Sequence, residues 1–234
     1  MPNYIFSSYD IVAPHELNDI TKFAIYNAIE RAGRTCYKSE DKMKMTEHSA
    51  AKFVQAMVKN GHHAMLEHAK MTVLFTVDRG VTHELVRHRV ASYAQESTRY
   101  CNYSKNGAVT FICPSKIFTT GDVSEILLEW YQAATDSERH YLRMLELGAT
   151  PEQARTVLIT STKADIVITA NMREWRHIFE LRAAGTTGKP HPQMLEVMVP
   201  LLQEVAEFMP ELFGDIWDQV PDDVKSTYGR SEES

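Results

Sequence analysis

The spacing of apolar residues along the chain predicts that most of it is helical. Apolar side chains recur three and four residues apart in five long segments, and we predict a helix in each. These segments are Asn18–Ala32, Glu47–Lys59, Asp122–Leu147, Met172–Ala184 and Pro192–Phe213, the last of them bent at Pro200.

Two shorter helix starts are also predicted. Thr150-Pro151-Glu152 combines a cap residue, a proline and an acid, which is the usual composition of a helix N-terminus. Thr82 is predicted to begin a short helix that delivers the three residues Arg87, His88 and Arg89.

Shorter runs rich in β-branched and aromatic residues predict strands between the helices. They are Tyr4–Val12, Met71–Val77, Ala108–Cys113 and Ala164–Thr169, and a turn is predicted at Asp78-Arg79-Gly80. Helices interrupted by a few strands indicate an α+β domain. Because no repeat or linker separates these segments, we predict a single domain over residues 1–225 and a polar C-terminal tail over 226–234.

The composition narrows the class of protein. The 234 residues are 44% hydrophobic and 24% charged, with a net charge of -6, which is typical of a soluble globular protein. The acidic balance disfavours a general binder of nucleic acids or membrane surfaces. We see no secretion signal, no membrane span and no cysteine framework among the three cysteines, and therefore expect a cytoplasmic protein.

The segment Arg87–Tyr100 concentrates arginines and hydroxyl side chains within this acidic chain; it reads RHRVASYAQESTRY. The guanidinium fork donates two parallel hydrogen bonds to planar or phosphate anions, and the segment contains no lysine. These residues suit a specific site for a phosphorylated small molecule. A solvated arginine face on a surface helix is the structural alternative, and composition alone leaves both open.

Two other segments carry polar residues of possible chemical use. In Gly61–His68 the spacing H-x-x-x-E-H is one residue longer than a metalloprotease pattern, so a histidine pair at a helix end is favoured over a metal site. In Asn171–Arg182, the residues Trp175, Phe179 and Arg182 share one helical face. Such an arginine needs an anionic or carbonyl partner, unless it extends past the core to the surface.

Taken together, these motifs resemble those of the flavin-dependent thymidylate synthases, the ThyX family. The family signature is Arg-His-Arg, seven residues and then Ser, and Arg87-His88-Arg89 with Ser97 matches it. Further matches follow the family's order along the chain: Gly61-His62, Glu67-His68, Glu84, Ser92, Arg99-Tyr100, Ala154-Arg155, Asn171-x-Arg173 and Leu181-Arg182. The resemblance spans Gly61–His191.

The resemblance implies a fold, a reaction and an assembly. The fold is α+β, with a mainly antiparallel sheet packed with several helices. The reaction is the reductive methylation of dUMP to dTMP, with methylene-tetrahydrofolate as one-carbon donor, noncovalent FAD as hydride carrier and NADPH as reductant. The assembly is a homotetramer whose subunits share active sites, and no metal, nucleic acid or membrane takes part.

The resemblance also assigns residues to ligands. The residues implied to bind dUMP are Glu84, Arg87, Gln95, Glu96, Ser97, Arg99, Arg182 and, reaching over from another subunit, Arg155. Those implied to bind FAD are Glu67, Arg87, His88, Arg89, Gln95, Asn171, Arg173 and His177. Two residues are implied to be catalytic: His62 beside the flavin and folate, and Arg182, which polarises the uracil ring. No cysteine is expected to act as a nucleophile, although Cys101 lies beside the arginine motif.

Two other functions use parts of the same sequence. A metal-dependent nucleotide hydrolase would use His62, His63 and His68, and it predicts a colourless protein that chelators inhibit. An RNA-binding module would use Arg87–Tyr100 with nearby tyrosines as stacking platforms, and it predicts strongly salt-dependent polynucleotide binding. A yellow flavin spectrum separates the flavoenzyme from both.

Overall fold

The computed structural model describes residues 1–114, 116 and 121–230. The α-helices in these residues are α1 (Asp19–Cys36), α2 (Glu47–Lys59), α3 (Arg79–Leu85), α4 (Val123–Glu146), α5 (Pro151–Ala154), α6 (Met172–Arg182), α7 (Pro192–Phe208), α8 (Pro210–Trp217) and α9 (Asp222–Tyr228). The strands are β1 (Asn3–Ile5), β2 (Ser8–Ala13), β3 (Lys70–Asp78), β4 (Ala91–Gln95), β5 (Thr110–Ile112) and β6 (Lys163–Asn171). Short 3-10 helices occur at Glu40–Lys42, His63–His68, Tyr103–Asn106 and Arg155–Val157.

The strands form one antiparallel sheet and one parallel pair. The antiparallel sheet has the strand order β2–β3–β6–β4. Strands β1 and β5 pair in parallel, with Tyr4 opposite Phe111. Side chains of β3 and β6 alternate between buried and more exposed positions, because successive side chains of a strand point to opposite faces. The predicted α+β class with a mainly antiparallel sheet is confirmed.

The chain divides into two compact units. The first unit contains Met1–Ser8, Phe75–Arg87 and Tyr93–Val167. The second contains Tyr9–Leu74, His88–Ser92 and the chain from Ile168 onward. The division between the units falls inside the Arg-His-Arg motif, after its first arginine. The single domain expected over residues 1–225 stays a prediction.

Helix α6 supplies aromatic residues to the core of the second unit. Trp175 and Phe179 are stacked with their ring centroids 5.6 Å apart, and Phe179 meets Phe213 edge-on, also at 5.6 Å. The buried indole Nε1 of Trp175 donates a hydrogen bond to the Met71 carbonyl at 3.0 Å. This bond satisfies the one polar atom of the indole, so the large ring is buried without loss of a hydrogen bond.

The first unit has a separate hydrophobic cluster that includes Tyr141 of α4 and Phe111 of β5, both fully buried. The Tyr141 hydroxyl accepts a hydrogen bond from the Tyr103 backbone N–H at 3.3 Å. The buried carboxylate of Glu138 accepts one from the Val109 N–H at 2.9 Å. Two buried side chains of α4 therefore accept hydrogen bonds from backbone groups of the segment that leads into β5.

Most predicted helices are confirmed, and their caps explain where they begin. Helices α1, α2 and α4 follow Asn18, Thr46 and Asp122, whose side chains accept hydrogen bonds from first-turn N–H groups. The helix predicted at Thr150 is also confirmed, but it is short, since α5 ends at Ala154 and a 3-10 turn follows. Strands β3, β5 and β6 confirm three of the four strand predictions, with β5 shorter than expected.

The single strand predicted over Tyr4–Val12 is wrong. Strand β1 ends at Ile5 and pairs with β5, whereas β2 begins at Ser8 and joins the four-stranded sheet. The composition of both pieces favours extended backbone, so local preference does not show the break. The different pairing partners of the two pieces decide it.

The prediction around the Arg-His-Arg motif is also wrong. Asp78 is not in a turn: it caps α3, which begins at Arg79 and ends at Leu85, before Arg87 is reached. The arginine motif therefore lies after the helix, and strand β4, which the sequence analysis did not predict, starts at Ala91. Pairing with β6 keeps this segment extended, a long-range contact that local spacing does not reveal.

The helix predicted over Pro192–Phe213 is in fact two helices. Helix α7 continues through Pro200 to Phe208, and a break at Met209 precedes α8, in which Pro210 occupies a first-turn position. Proline is well tolerated in the first turn because the N–H that it lacks has no partner there anyway. The flanks of Pro200 are buried, so packing offsets the hydrogen bond that this proline removes.

The C-terminal segment is more ordered than its composition suggests. Helix α9 includes residues 226–228 of the predicted tail, and the Arg230 N–H donates to Gln203 Oε1 at 2.7 Å. Residues 231–234 lie outside the described part of the chain.

Among the described residues, no helix has the length and apolar character needed to cross a membrane.

The N-cap of α3 generates a stability prediction. Asp78 is buried and its Oδ1 accepts a hydrogen bond from the buried Val81 N–H at 2.7 Å. We expect Asp78→Ala to lower the free energy of unfolding by about 1–2 kcal/mol, since the N–H is left without its cap. The matched control is Asp122→Ala, which removes the exposed cap of α4 and costs about 0.5–1 kcal/mol. Equal losses in urea denaturation would contradict the special role of burial at Asp78.

Candidate active site

A polar cavity of about 460 Å³ lies in the second unit, beside the first turns of α6. Its lining residues are His63, Glu67, Val90, Asn171, Arg173, Glu174, Arg176, His177 and Glu180. The volume is in the range of small-molecule sites. Four of these residues, Glu67, Asn171, Arg173 and His177, are ones that the resemblance assigns to FAD.

The N-terminus of α6 orders one side of this cavity. Asn171 is the N-cap residue, and its Oδ1 accepts a hydrogen bond from the Glu174 N–H at 2.8 Å. Arg173, one residue into the helix, forms an ion pair with Glu67, with 2.6 Å between NH1 and Oε1. Both partners of the pair are about half exposed, so it contributes little to stability. An anionic ligand would compete with Glu67 for this arginine.

His88 lies buried between two charged residues of α6 in the second unit. Its side chain is 4% exposed, and its Nδ1 lies 3.7 Å from Glu174 Oε1. Its Nε2 accepts a hydrogen bond from Arg182 Nε at 3.1 Å. The ring also meets His177 edge-on, with centroids 5.8 Å apart. An imidazole nitrogen is thus one partner of Arg182, and the helical wheel did not indicate this partner.

This geometry defines the protonation of the imidazole. The Nε of arginine is always a donor, so Nε2 of His88 must offer its lone pair. In the neutral ring the proton then resides on Nδ1, on the side of Glu174. Both ring nitrogens of His88 therefore face protein groups.

Glu174 is a buried acid with a perturbed pKa. Burial raises the pKa of its carboxyl group, and the neighbouring side chains His177 and Arg173 oppose this rise. The whole residue is only 9% exposed. A raised pKa in a cavity-lining carboxyl group is the kind of perturbation that accompanies functional sites.

The first unit holds the arginines expected at the dUMP phosphate. Arg99 forms an ion pair with Glu152, with 2.8 Å between Nε and Oε1, and the Arg99 N–H donates to Ser97 Oγ at 3.3 Å. Arg155 NH1 donates to Thr98 Oγ1 at 3.1 Å. Within one chain, Arg155 therefore contacts the segment that also carries Ser97 and Arg99. Its expected reach into another subunit stays a prediction.

Glu96 is held in a hydrogen-bonded network of the first unit. Its carboxylate accepts from the Tyr103 hydroxyl and from Lys163 Nζ, each at 2.8 Å, and Lys163 also contacts Asp165 at 2.5 Å. Burial lowers the pKa of Lys163, but the hydrogen bonds to Asp165 and Glu96 raise it by more. Burial and the Glu96 carboxylate both raise the pKa of Tyr103. Glu96 is thus fixed in orientation before any ligand binds.

The remaining predicted site residues are distributed between the units. In the first unit, Gln95 Nε2 donates to Thr82 Oγ1 at 2.9 Å, Glu84 is partly buried in α3, and Arg87 is exposed just after that helix. In the second unit, Arg89 is exposed, and His62 is exposed with its Nδ1 3.4 Å from the Tyr37 hydroxyl. The division leaves most predicted dUMP residues in the first unit and most predicted FAD residues in the second.

The described residues include no group of three His, Cys, Asp or Glu side chains placed to hold a metal ion. All three cysteines are free, with Cys36 exposed, Cys101 partly buried and Cys113 buried. Cys101 packs against the hydrophobic cluster of the first unit, which is a structural environment.

Sequence reasoning missed several residues of these sites. Glu174 follows Asn171 at the spacing of a capping box, a signal that would have placed an acid at the start of α6. Lys163 and Asp165 alternate with buried residues on β6, so they share a face of that strand. Arg176 carried no signal, because its bidentate ion pair joins it to Asp215, 39 residues later.

Comparisons with known proteins show the family of this chain. The family model described as Thymidylate synthase complementing protein matches residues 22–211. A flavin-dependent thymidylate synthase from Corynebacterium glutamicum is 32% identical over 200 residues, which cover 80% of this chain and 78% of that protein. The chain belongs to the flavin-dependent thymidylate synthase family. A second member, from Geobacter sulfurreducens, is 30% identical over 193 residues, covering 80% of each chain.

Membership of the flavin-dependent thymidylate synthase family makes the protein an enzyme. Its fold is similar to that of a solved structure, the UMP/dUMP methylase PolB from Streptomyces cacaoi bound with 5-Br dUMP. The TM-score is 0.72 at 20% sequence identity, and the match covers 98% of this chain and 99% of that chain. The ThyX-like fold that the motifs implied is therefore confirmed.

Glu174 generates a pH-dependent stability prediction for this family member. Its folded pKa is raised, so folding favours the protonated carboxyl group, and stability falls as the pH rises from the unfolded value through the folded one. Glu174→Gln removes the ionisation. We expect this variant to be more stable than the wild type at pH 7, with a smaller difference near pH 4.

Urea denaturation at several pH values measures this difference. Glu180→Gln, a partly buried carboxylate of the same helix and cavity, is the matched control. A Glu174→Gln protein that is less stable than the wild type at pH 7 would show that the carboxylate is there to stabilise the fold.

Proposed function

We propose that the protein synthesises dTMP from dUMP by reductive methylation, with methylene-tetrahydrofolate as one-carbon donor, FAD as hydride carrier and NADPH as reductant. The observation that carries the proposal is the clustering of four predicted flavin ligands around one cavity of suitable size. These four residues are scattered along 111 positions of the chain, from Glu67 to His177. Family membership supports the flavin and the thymidylate reaction.

The residues around the cavity fit a flavin dinucleotide chemically. Arg173, His63 and His177 offer donors to pyrophosphate oxygens, and the Asn171 amide offers one to a polar ring edge. Arg176, which also lines the cavity, has a buried Nε without a hydrogen-bond partner among the described residues. When bound, reduced FAD supplies hydride to the pyrimidine. Glu67, His88, Arg89, Asn171, Arg173 and His177 are proposed to hold it, together with Arg87 and Gln95.

The nucleotide is assigned to the arginine segment of the first unit. Arg99, Ser97 and Arg87 are proposed to bind the dUMP phosphate, and Glu84, Gln95 and Glu96 the rest of the nucleotide. The fixed orientation of Glu96 supports a role in orienting a ligand hydroxyl, because a prepositioned acceptor loses little entropy on binding. Arg155 of another subunit is proposed to complete the group; within one chain, Arg155 contacts Thr98 of the same segment.

Arg182 is proposed to stabilise negative charge that develops on the uracil ring. It is partly buried, and its Nε donates a hydrogen bond to His88 Nε2, which holds the guanidinium group beside the imidazole. A cation in a site from which water is excluded stabilises a developing anion strongly. His62 is proposed to lie beside the flavin and folate.

The proposal also includes a homotetrameric assembly, a cytoplasmic location and a single domain over residues 1–225.

Turnover of dUMP tests the function directly. The FAD-loaded protein, with NADPH and methylene-tetrahydrofolate, should form dTMP and release tritium from 5-tritiated dUMP. Arg182→Ala should lose about 10²–10³-fold in turnover at saturating dUMP. Arg143→Ala, which removes an exposed arginine paired with Glu146, should retain full turnover. The proposal fails if the wild-type protein binds flavin but makes no dTMP.

The same assay tests the role of thiols. A protein with Cys36→Ser, Cys101→Ser and Cys113→Ser should still release tritium, because the packing of Cys101 against a hydrophobic cluster indicates a structural residue. A folded, yellow triple-serine protein that releases none would reinstate a thiolate nucleophile.

The Arg99–Glu152 ion pair generates a binding prediction. Arg99→Ala should weaken dUMP binding about 10- to 100-fold and leave FAD binding unchanged, since a charge-assisted hydrogen bond contributes about 1.5–3 kcal/mol. Glu152→Gln should instead tighten dUMP binding by up to about fivefold, because the phosphate no longer displaces a carboxylate; an exposed pair contributes about 0–1 kcal/mol.

Titration calorimetry with dUMP measures both changes. Glu146→Gln is the matched control for the second variant, since it removes the carboxylate of the similarly exposed Arg143 pair. Weaker dUMP binding in Glu152→Gln would show that Glu152 positions Arg99 for the phosphate, where we expect competition.

A further inference from the structure

We propose that Glu174 is a positioning residue for the thymidylate reaction, holding Arg182 in its working orientation through the imidazole of His88. The inference rests on the proposed function for the role of Arg182, but not for the geometry. It assigns a role in the site to an acid that the sequence motifs do not include.

The geometry that carries the inference is a three-residue chain within the second unit. Glu174 Oε1 lies 3.7 Å from His88 Nδ1, and Arg182 Nε lies 3.1 Å from His88 Nε2. Glu174 and Arg182 are eight residues apart on α6, which is about 12 Å along the helix axis. The two long side chains cover most of this distance, and the imidazole, supplied by a separate segment of the chain, lies between their ends.

Glu174 favours one tautomer of His88, and that tautomer holds the Arg182 side chain in its orientation. A carboxylate near Nδ1 favours the ring form with its proton on that atom, which leaves a lone pair on Nε2. Only this form accepts the hydrogen bond from Arg182 Nε. With the proton on Nε2, two N–H groups would face each other and the arginine would lose this bond. The 3.7 Å separation exceeds a hydrogen bond, so the Glu174 contact is electrostatic.

The position of Glu174 is unfavourable for stability, which argues against a purely structural role. The group is buried beside a cavity, and burial raises the pKa of its carboxyl group. Residues that cost stability while facing a cavity are characteristic of functional sites. By contrast, Arg176 on the same helix is neutralised by a close bidentate pair with Asp215.

Two measurements on the FAD-loaded full-length protein test the proposal. The first is the tautomer of His88, read from ring ¹⁵N chemical shifts and assigned by loss of the signal in His88→Asn. The wild type should carry its proton on Nδ1, and Glu174→Gln should shift the population toward Nε2. The second is turnover: Glu174→Gln should lower kcat about 10- to 100-fold, the usual effect of removing the partner that orients a functional histidine.

The control variants separate positioning from folding. Glu174→Asp keeps the charge and should recover much of the lost kcat, whereas Glu180→Gln, on the same helix and cavity, should leave the tautomer of His88 unchanged. The KM for dUMP should change less than about threefold in Glu174→Gln, because a positioning residue acts on the transition state.

The two readouts also separate this inference from the proposed function. A tautomer that is unchanged in Glu174→Gln overturns the inference, whatever the turnover assay shows. A wild-type kcat in Glu174→Gln overturns it as well. If the wild-type protein makes no dTMP, the proposed function fails on its own, and the tautomer shift still decides whether Glu174 orients His88.

Discussion

The burial of one face of α6 is the constraint on which the site depends. Trp175 is anchored by its hydrogen bond to the Met71 carbonyl, and the Met172 N–H donates to the Ala69 carbonyl at 2.9 Å. These two bonds attach the first turn of the helix to the start of β3. Every polar residue on the other faces of α6 then has a fixed direction, because the aromatic face cannot rotate away from the core.

A rigid helix of this kind explains how one segment serves several roles. Asn171 caps it, Arg173 faces Glu67, and Glu174 and Arg182 both reach His88. Side chains on a helix are held in place by its packing, so they are more exactly oriented than side chains on loops. His88, which lies outside the helices, is held in place by its burial and by contacts at both ring nitrogens.

The ion pairs of the arginines differ between the two units. Two arginines that match the family motifs have side-chain partners in the first unit: Arg99 is paired with Glu152, and Arg155 donates to the Thr98 hydroxyl. Such pairs are weak when exposed, so a phosphate can replace them at small cost. The bidentate pair of the buried Arg176 and the half-exposed Asp215 instead connects two structural elements, since it joins α6 to α8.

The sequence alone determined the class of fold, most helices, three of the four predicted strands and the family, because helical spacing, cap residues and a long arginine motif are local signals. Four of the residues that line the cavity had also been assigned to FAD in advance, from the family resemblance. The tertiary structure alone decided that Tyr4–Val12 breaks into two strands, and that the arginine motif follows a helix and leads into β4. It also decided that the predicted helix over Pro192–Phe213 is interrupted just before Pro210 and not at Pro200. It alone placed Glu174 beside His88. These features depend on strand partners and on contacts between residues distant in sequence, and no local pattern of apolar and polar positions encodes such contacts.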